Sequence, residues 1–180
     1  MHGTIFTELQ KYVVAKLGSD AWPRLLQASG VGREGYEAFN VYPDEEALVL
    51  VSTASRITGT AVPALLEDFG AFIAPDLLDM YWAVVQPEWR TLDVIEHTEQ
   101  AIHQVVRLKN PGARPPELRC ARLAPDHVVI TYTSPRKLCG VAKGIARGLA
   151  THYGEKVTIT ESQCMLQGSD RCEISVRTAA

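Results

Sequence analysis

Apolar residues recur every three or four positions through the first 110 residues, the spacing of one face of an α-helix. The clearest series is Ile5, Leu9, Val13 and Leu17, and Gly18 is placed to end that helix. The same pattern predicts further helices over residues 19–30, 43–59, 60–73, 75–85 and 91–108. The first 110 residues are therefore predicted to be mainly helical.

After residues 110–116 the pattern changes to short runs of alternating or β-branched residues. Two antiparallel hairpins are predicted, one over 117–134 with a turn at 124–126, and one over 156–177 with a turn at 167–170. A helix between them is expected to start at Ser134-Pro135, with the serine as cap, and to cover the sheet. The predicted fold is a single α+β domain over 1–180, with a helical part (1–110) and a four-stranded antiparallel sheet with its covering helix (111–180).

Glycine recurs every four residues along the covering helix, at Gly140, Gly144 and Gly148. Each glycine costs about 1 kcal/mol relative to alanine in a helix interior, so the repeat needs a reason. Close packing of the helix on the sheet is one explanation, and a broad, flat ligand near the helix is the other.

Composition narrows the class of protein. The chain has 46% hydrophobic and 22% charged residues, an ordinary globular mixture, and its net charge of −3 argues against nucleic acid as a partner. No apolar run approaches the roughly 20 residues of a membrane span, and the N-terminal segment lacks the layout of a secretory signal. The four cysteines are therefore expected to be reduced thiols in a cytoplasmic protein. We find no nucleophile–base pairing, phosphate loop or paired carboxylates, so an enzyme is not expected.

Polar side chains interrupt the apolar face of the second predicted strand. Tyr132 and Ser134 continue the face of Val128 and Ile130, and Arg136 follows directly. A phenol, a hydroxyl and a planar guanidinium together could bind a buried carboxylate. A core tyrosine, a capping serine and a solvated arginine would give the same pattern.

The longest predicted helix, 91–108, carries two of the five histidines, His97 and His103. His103 lies at the edge of the apolar stripe of that helix, where an imidazole could bind a metal inside an apolar pocket. A histidine that is satisfied by protein contacts in the core or at the surface is the alternative.

The sequence resembles the heme-nitric oxide/oxygen-binding (H-NOX) family, which is related to the heme domain of soluble guanylate cyclase. Residues 132–136, YTSPR, reproduce the Tyr-x-Ser-x-Arg motif of that family, and the segments MHG, YPD, AIHQVV and PPELRC occur in the family's order. The resemblance implies noncovalent heme b, since the chain has no Cys-x-x-Cys-His motif. It implies His103 as proximal heme ligand, Pro116 packed on the heme face, and Tyr132, Ser134 and Arg136 on the heme propionates.

The resemblance also bears on the gas that binds. Family members that bind oxygen place a tyrosine five residues after the motif arginine, where this chain has Val141. Bound dioxygen gains most from a hydrogen-bond donor, whereas ferrous heme binds NO strongly without one. Ile5 and Leu9 would add only apolar surface to the distal pocket. The chain is therefore expected to bind NO, and also CO, rather than oxygen.

The cysteines form a second candidate site. Cys164 and Cys172 lie symmetrically about Gly168 in the second hairpin, and Cys139 lies near the start of the covering helix. Some members of the H-NOX family hold a structural zinc with four ligands from this region. Cys139, Cys164 and Cys172 match three of these positions, and the fourth, usually cysteine or histidine, is Glu161. Three buried thiols without metal are the alternative, and Cys120 is expected to be a core residue.

The function that the resemblance implies is that of a gas sensor and not of an enzyme. NO would weaken the bond between His103 and iron, and the resulting shift of the helical part against the sheet would be read by a signalling partner. A histidine kinase or a cyclic-di-GMP enzyme is the usual partner in the family. Zinc loss from oxidised thiols would add redox sensing. A heme-free module of the 4-vinyl reductase type, which binds small ligands or metal, is the alternative.

Overall fold

Four helices build the N-terminal part of the protein in the computed structural model, which describes residues 1–179. They are α1 (Gly3–Leu17), α2 (Ala21–Ser29), α3 (Asp44–Thr58) and α4 (Val62–Met80). Gly30 and Gly59 follow α2 and α3 with φ of 70° each, the left-handed conformation that commonly ends helices. The buried faces of these helices meet in one apolar cluster around Phe6, Leu50 and Ile73.

Helix α4 runs through Pro75, where the sequence pattern predicted two separate helices. The proline removes one backbone hydrogen bond, which costs about 3 kcal/mol. Ile73, Ala74 and Leu78 on either side are all buried in the core. Burial of each large apolar side chain contributes about 1.5–3 kcal/mol, enough to keep the helix continuous.

The periodicity predicts one α-helix over 91–108, but the helical run that carries His103 is not a uniform α-helix. It consists of α5 (Thr91–His97), a π-helical segment (Thr98–His103) and α6 (Gln104–Lys109). The Thr98 hydroxyl donates to the Val94 carbonyl, 2.6 Å away, where the segment begins. π-Helical turns are rare and frequent at functional sites, and this one ends at His103.

The four-stranded antiparallel sheet is confirmed. Its strands are β1 (Glu117–Ala124), β2 (His127–Thr133), β3 (Val157–Gln163) and β4 (Cys172–Thr178), in the spatial order β1-β2-β4-β3. Val128 and Ile130 of β2 pair with Val176 and Ile174 of β4, and all four side chains are buried on one face. This face packs against α5 and the covering helix in a second apolar cluster.

The covering helix, α7 (Cys139–His152), begins four residues later than predicted, with Leu138 rather than Ser134 at the cap position. Ser134 caps a turn rather than the helix, because its Oγ accepts from the backbone N–H of Arg136, 3.3 Å away. Lys137 has a φ of 52°, a left-handed conformation that a helix cannot continue. The segment 134–138 is therefore a turn that connects β2 to α7.

The glycine repeat of α7 serves close packing, but against α4 rather than against the sheet. A Cβ on Gly148 would lie 2.5 Å from the carbonyl oxygen of Ala71, and one on Gly140 would lie 3.0 Å from Cβ of Leu66. Ala146 and Leu149 belong to the cluster on the sheet. Glycine therefore brings α7 against α4 while the remaining apolar residues of α7 pack on the sheet.

Within residues 1–179, no single helix has both the length and the apolar composition of a membrane span. Helices α3 and α4 would meet both criteria only as a pair, and a bend of 109° separates them.

Candidate cofactor cavity and thiol cluster

A cavity of about 300 Å³ lies between the helical part and the sheet. Most of its wall is apolar, from residues of α1, α4, α5, α7 and β2. The few polar groups in the wall include three that the sequence singled out, His103, Tyr132 and Arg136. The apolar residues of the wall include Leu66, Phe69, Ile73, Leu77, Leu78, Val94, Ile95, Ile102, Ile130 and Ile145.

His103 lines this cavity and is 13% exposed. Its Nδ1 lies 2.9 Å from Oε2 of Glu99, one turn earlier. Burial lowers the pKa of His103, and the hydrogen bond to Glu99 opposes but does not cancel this effect. The neutral imidazole is therefore favoured, with Nδ1 bound to Glu99 and Nε2 left as the nitrogen that can bind a metal.

Glu99 is the site residue that sequence reasoning missed on this side of the cavity. Its Oε2 also accepts from the backbone N–H of Leu118 at 3.2 Å, and its Oε1 pairs with Arg107 at 2.7 Å. Burial alone would raise the pKa of Glu99, but these partners lower it. The i,i+4 spacing of Glu99 and His103 was a signal that could have revealed the pair.

Arg136 also lines the cavity, and its guanidinium forms an ion pair with Asp44. Its Nη1 lies 3.3 Å from Oδ2 of Asp44, and its Nη2 donates to the carbonyl of Arg114. The other oxygen of Asp44 pairs with the Met1 ammonium at 2.7 Å. Burial would raise the pKa of Asp44, but the ammonium and Arg136 keep it below its ordinary value. Asp44 fixes the guanidinium that was predicted to bind a carboxylate.

Tyr132 and Ser134 are both buried, but only Tyr132 of the two lines the cavity. Tyr132 lines it and accepts a hydrogen bond from the backbone N–H of Leu138 at 3.1 Å. Ser134 is not part of the cavity wall, and its hydroxyl holds the turn that carries Arg136. The structure thus brings Tyr132 and Arg136 to the cavity, while a propionate contact of Ser134 stays a prediction.

The remaining residues predicted for this site, Pro116, Ile5, Leu9 and Val141, all contribute to the cavity wall. Ile5 and Leu9 come from α1 and Val141 from α7, and none of the three has a hydrogen-bond donor in its side chain. Tyr81, directly after α4, also lines the cavity, and no sequence pattern indicated it. Its hydroxyl makes Tyr81 a residue to test for gas binding.

His97, the second histidine of the same helical run, is not part of the cavity wall. Its ring stacks on Trp89 with 4.6 Å between centroids, and its Nδ1 lies 2.8 Å from the Asp93 carbonyl oxygen. Satisfied protein contacts therefore explain His97.

The cavity residues fit a heme. A flat apolar macrocycle matches the apolar wall, and a neutral, partnered imidazole is the usual protein ligand of heme iron. The propionates need cationic and hydrogen-bonding groups, which Arg136 and Tyr132 provide in the same wall. His103, Arg136 and Tyr132 are thus the residues that would hold the group.

Three thiols and one carboxylate meet at a second place, where α7, β3 and β4 converge. Cys139 is the first residue of α7, Cys164 directly follows β3, and Cys172 is the first residue of β4. The three thiols are buried, and their sulfur atoms and a carboxylate oxygen of Glu161 lie within 4.8 Å of one another. The structure therefore brings all four predicted ligands together.

The geometry of the cluster suits zinc. Tetrahedral Zn–S bonds of about 2.3 Å would place two sulfurs about 3.8 Å apart. The sulfurs of Cys139 and Cys164 are 3.8 Å apart, and Oε1 of Glu161 is buried with no hydrogen-bond partner within residues 1–179. A bound cation would satisfy that oxygen. Burial raises the pKa of Cys139 and of Cys172, so metal binding would have to displace protons.

Lys143 is a further residue of the cluster region that the sequence did not reveal. Its ammonium lies 3.1 Å from Oε2 of Glu161 and 3.1 Å from Oε1 of Glu67 on α4. Cys120 lies apart from the cluster on β1, half-buried against the core, and burial raises its pKa to about 12. The prediction of Cys120 as a core residue fits this position.

Comparison with known proteins gives one family. The family model described as haem-NO-binding matches residues 2–161. A crystal structure of an H-NOX protein from S. oneidensis, in the Fe(II)NO state, superposes with a TM-score of 0.93, covers 100% of both chains and is 25% identical in sequence. The unliganded Fe(II) H-NOX protein from K. algicida, at 21% identity and a TM-score of 0.89 over 100% of this chain and 97% of its own, shares the fold.

Two animal proteins are also similar. Soluble guanylate cyclase gcy-34 of Caenorhabditis elegans is 25% identical over 158 residues, which are 83% of this chain and 23% of that protein. Soluble guanylate cyclase 89Da of Drosophila melanogaster is 22% identical over 176 residues, which are 93% of this chain and 26% of that protein. The chain thus spans about a quarter of the length of the curated relatives that it matches. Together with the fold and the cavity, the family match shows that this chain belongs to the haem-NO-binding (H-NOX) family of heme-based gas-sensor domains.

Proposed function

We propose that this protein is a sensor of nitric oxide that holds ferrous heme b in its cavity and is not itself an enzyme. The observation that carries the proposal is His103, a largely buried imidazole fixed by Glu99 in a mostly apolar cavity. The Fe(II)NO state of the S. oneidensis relative supports NO as the ligand. When bound, the heme would supply a ferrous iron that takes up diatomic gases, and His103 would be the residue that holds the iron.

The protein residues of the cavity divide the remaining tasks. Glu99 accepts the hydrogen bond of the His103 ring and so sets the orientation of Nε2. Arg136, held by Asp44, and Tyr132 provide the groups that bind carboxylates. Val141, Ile5 and Leu9 keep their part of the wall free of donors, which favours NO over oxygen. Release of His103 from its iron bond would free the π-helical segment to move against the sheet.

The signal must be passed on by contact with another protein or domain. A histidine kinase or a cyclic-di-GMP enzyme fits the resemblance, and a cytoplasmic location fits reduced thiols. We include both in the proposal, together with CO as a second gas that the ferrous protein binds.

The visible spectrum of the purified, reduced protein tests the proposal. We expect heme to copurify, and we expect NO and CO to change the spectrum while air produces no stable oxygen complex. Protein that folds but retains no heme would favour the module of the 4-vinyl reductase type. A persistent oxygen complex would contradict the NO assignment, and Tyr81→Phe would then show whether Tyr81 is the donor.

We propose a second function for the thiol cluster, that of a structural zinc site sensitive to oxidants. The unpartnered Oε1 of Glu161 among three buried thiols favours it. Hydrogen peroxide would take two electrons from two thiolates, form one disulfide and, with two protons, yield two waters. The metal would then lose two ligands, and the hairpin of β3 and β4 would loosen.

Elemental analysis of protein prepared without added metal tests this second function. We expect about one zinc per chain, as for a closed structural site, and release of the zinc after treatment with peroxide. Protein without zinc and with all four thiols titratable after unfolding would show that only the heme function remains.

A further inference from the structure

The side chain of Lys143 joins three parts of the fold. It extends from α7 and makes two ion pairs at 3.1 Å, one with Glu161 on β3, which is also a hydrogen bond, and one with Glu67 on α4. The Lys143 side chain is 18% exposed and that of Glu161 is 16% exposed, so the pair is largely shielded from water. Ion pairs of this kind are stronger and more fixed than surface pairs.

Glu161 uses its two oxygens differently. Oε2 contacts the Lys143 ammonium, whereas Oε1 is buried and has no hydrogen-bond partner in the part of the chain that the structure describes. The same carboxylate is grouped with Cys139, Cys164 and Cys172 as a set of four ligand donors. A carboxylate held at one oxygen has only the other to offer to a metal, and it cannot rotate freely away from it.

Charge adds a second reason for a cation at this place. Three thiolates and a carboxylate carry more negative charge than one divalent metal neutralises, and the site is buried. An ammonium in contact with the carboxylate offsets part of that excess. The Lys143 ammonium also lies 3.1 Å from Oε1 of Glu67, so carboxylates from two elements face it.

We propose that Lys143 is a positioning residue of the metal site: it holds Oε2 of Glu161 so that Oε1 is presented to the metal as the fourth ligand. This inference rests on the proposed metal function of the thiol cluster. It assigns to Lys143 the task that an outer hydrogen-bond partner performs for a metal-binding histidine or carboxylate. The bond to Glu67 fixes the ammonium from the side of α4.

The test is zinc affinity, measured on the full, reduced, heme-loaded chain by dialysis against buffered free zinc and elemental analysis. Lys143→Met should weaken zinc binding about 10- to 100-fold, the usual effect of removing an outer partner of a metal ligand. Lys143→Arg should restore most of the affinity, because the guanidinium can still donate to Oε2. Arg147→Met is the matched control: Arg147 lies on the same helix and pairs with Glu67 but not with Glu161.

A double-mutant cycle separates positioning from simple stabilisation of the fold. If Lys143 acts through Glu161, then Lys143→Met should change zinc affinity by no more than about twofold in a Glu161→Gln background. An undiminished effect there, or unchanged affinity in Lys143→Met alone, would overturn the inference. Wild-type protein that binds no zinc would instead remove the metal function itself, and the heme spectrum would be unaffected in either case.

Discussion

The cavity and the thiol cluster differ in how far apart their residues lie in the chain and in whether their polar groups have protein partners. Residues from Met1 to Leu149 line the cavity, and the three groups predicted to bind heme have partners in the protein: Glu99 for His103, Asp44 for Arg136 and the Leu138 N–H for Tyr132. Among the described residues, the cluster consists of four side chains between 139 and 172, and Oε1 of Glu161 has no hydrogen-bond partner there.

This difference determines how far each site depends on its bound group to stay ordered. Polar groups with protein partners are held in place before any ligand arrives, so the cavity is preorganised by the fold. A buried, unpartnered carboxylate oxygen costs free energy until something binds it. We therefore expect heme loss to leave its binding residues ordered and metal loss to loosen the cluster.

The largest expected effect is that of His103→Gly. The variant should fold and retain heme without a protein bond to iron, and added imidazole should restore the ferrous spectrum, because the cavity side chains keep their partners. The measurement is the ferrous absorption spectrum with and without imidazole. The matched control is His97→Gly, since His97 lies on the same helical run outside the cavity. An unchanged spectrum in His103→Gly would remove this residue from the site.

Cys164→Ser should have the opposite signature, a loss of stability without a change in the ferrous spectrum. At free zinc about 100-fold above the Kd, binding stabilises the fold by about 2.7 kcal/mol. For a chain of this size, loss of that energy should lower the Tm by about 5–10 °C. Thermal unfolding with and without a chelator measures it, and Cys120→Ser serves as the control. If the chelator lowers the Tm of wild type and variant alike, the cluster does not hold the metal.

Arg136→Ala tests whether the guanidinium that Asp44 holds in place binds the heme propionates. A hydrogen bond to a charged group is worth about 1.5–3 kcal/mol, so heme should dissociate roughly 10- to 100-fold faster. Transfer of heme to an apoprotein acceptor gives the rate. Asp44→Asn, which keeps Arg136 but removes its charged partner, should have a smaller effect in the same direction. Equal rates in all three proteins would show that Arg136 does not contact the propionates.

Local patterns predicted the fold, whereas the roles of His103, Tyr132, Arg136 and Glu161 were implied by the resemblance to the H-NOX family. Alternation placed Tyr132 on the buried face of β2, and spacing along one hairpin and its neighbouring helix brought the cysteines together. The sequence did not predict the partner residues that reach a site only through tertiary contacts. Asp44 lies 92 residues from Arg136 in the chain, and Lys143 looked like any surface lysine of an amphipathic helix. The continuous α4 was missed because the burial that outweighs Pro75 is itself tertiary.

The smallest effect is expected from the charge of Glu99. Glu99→Gln keeps an oxygen that can accept from His103 but removes the negative charge, so the imidazole becomes a weaker electron donor to a bound metal. The His103–iron bond should weaken, seen as a lower iron–histidine stretching frequency in resonance Raman spectra of the ferrous protein. Arg107→Met should shift the frequency upward, because Arg107 pairs with the same carboxylate and withdraws part of its charge from His103. Glu96→Gln, whose carboxylate pairs with Arg122, is the control and should leave the frequency unchanged. Shifts of the same sign in the Glu99 and Arg107 variants would show that geometry, and not charge, sets the strength of this bond.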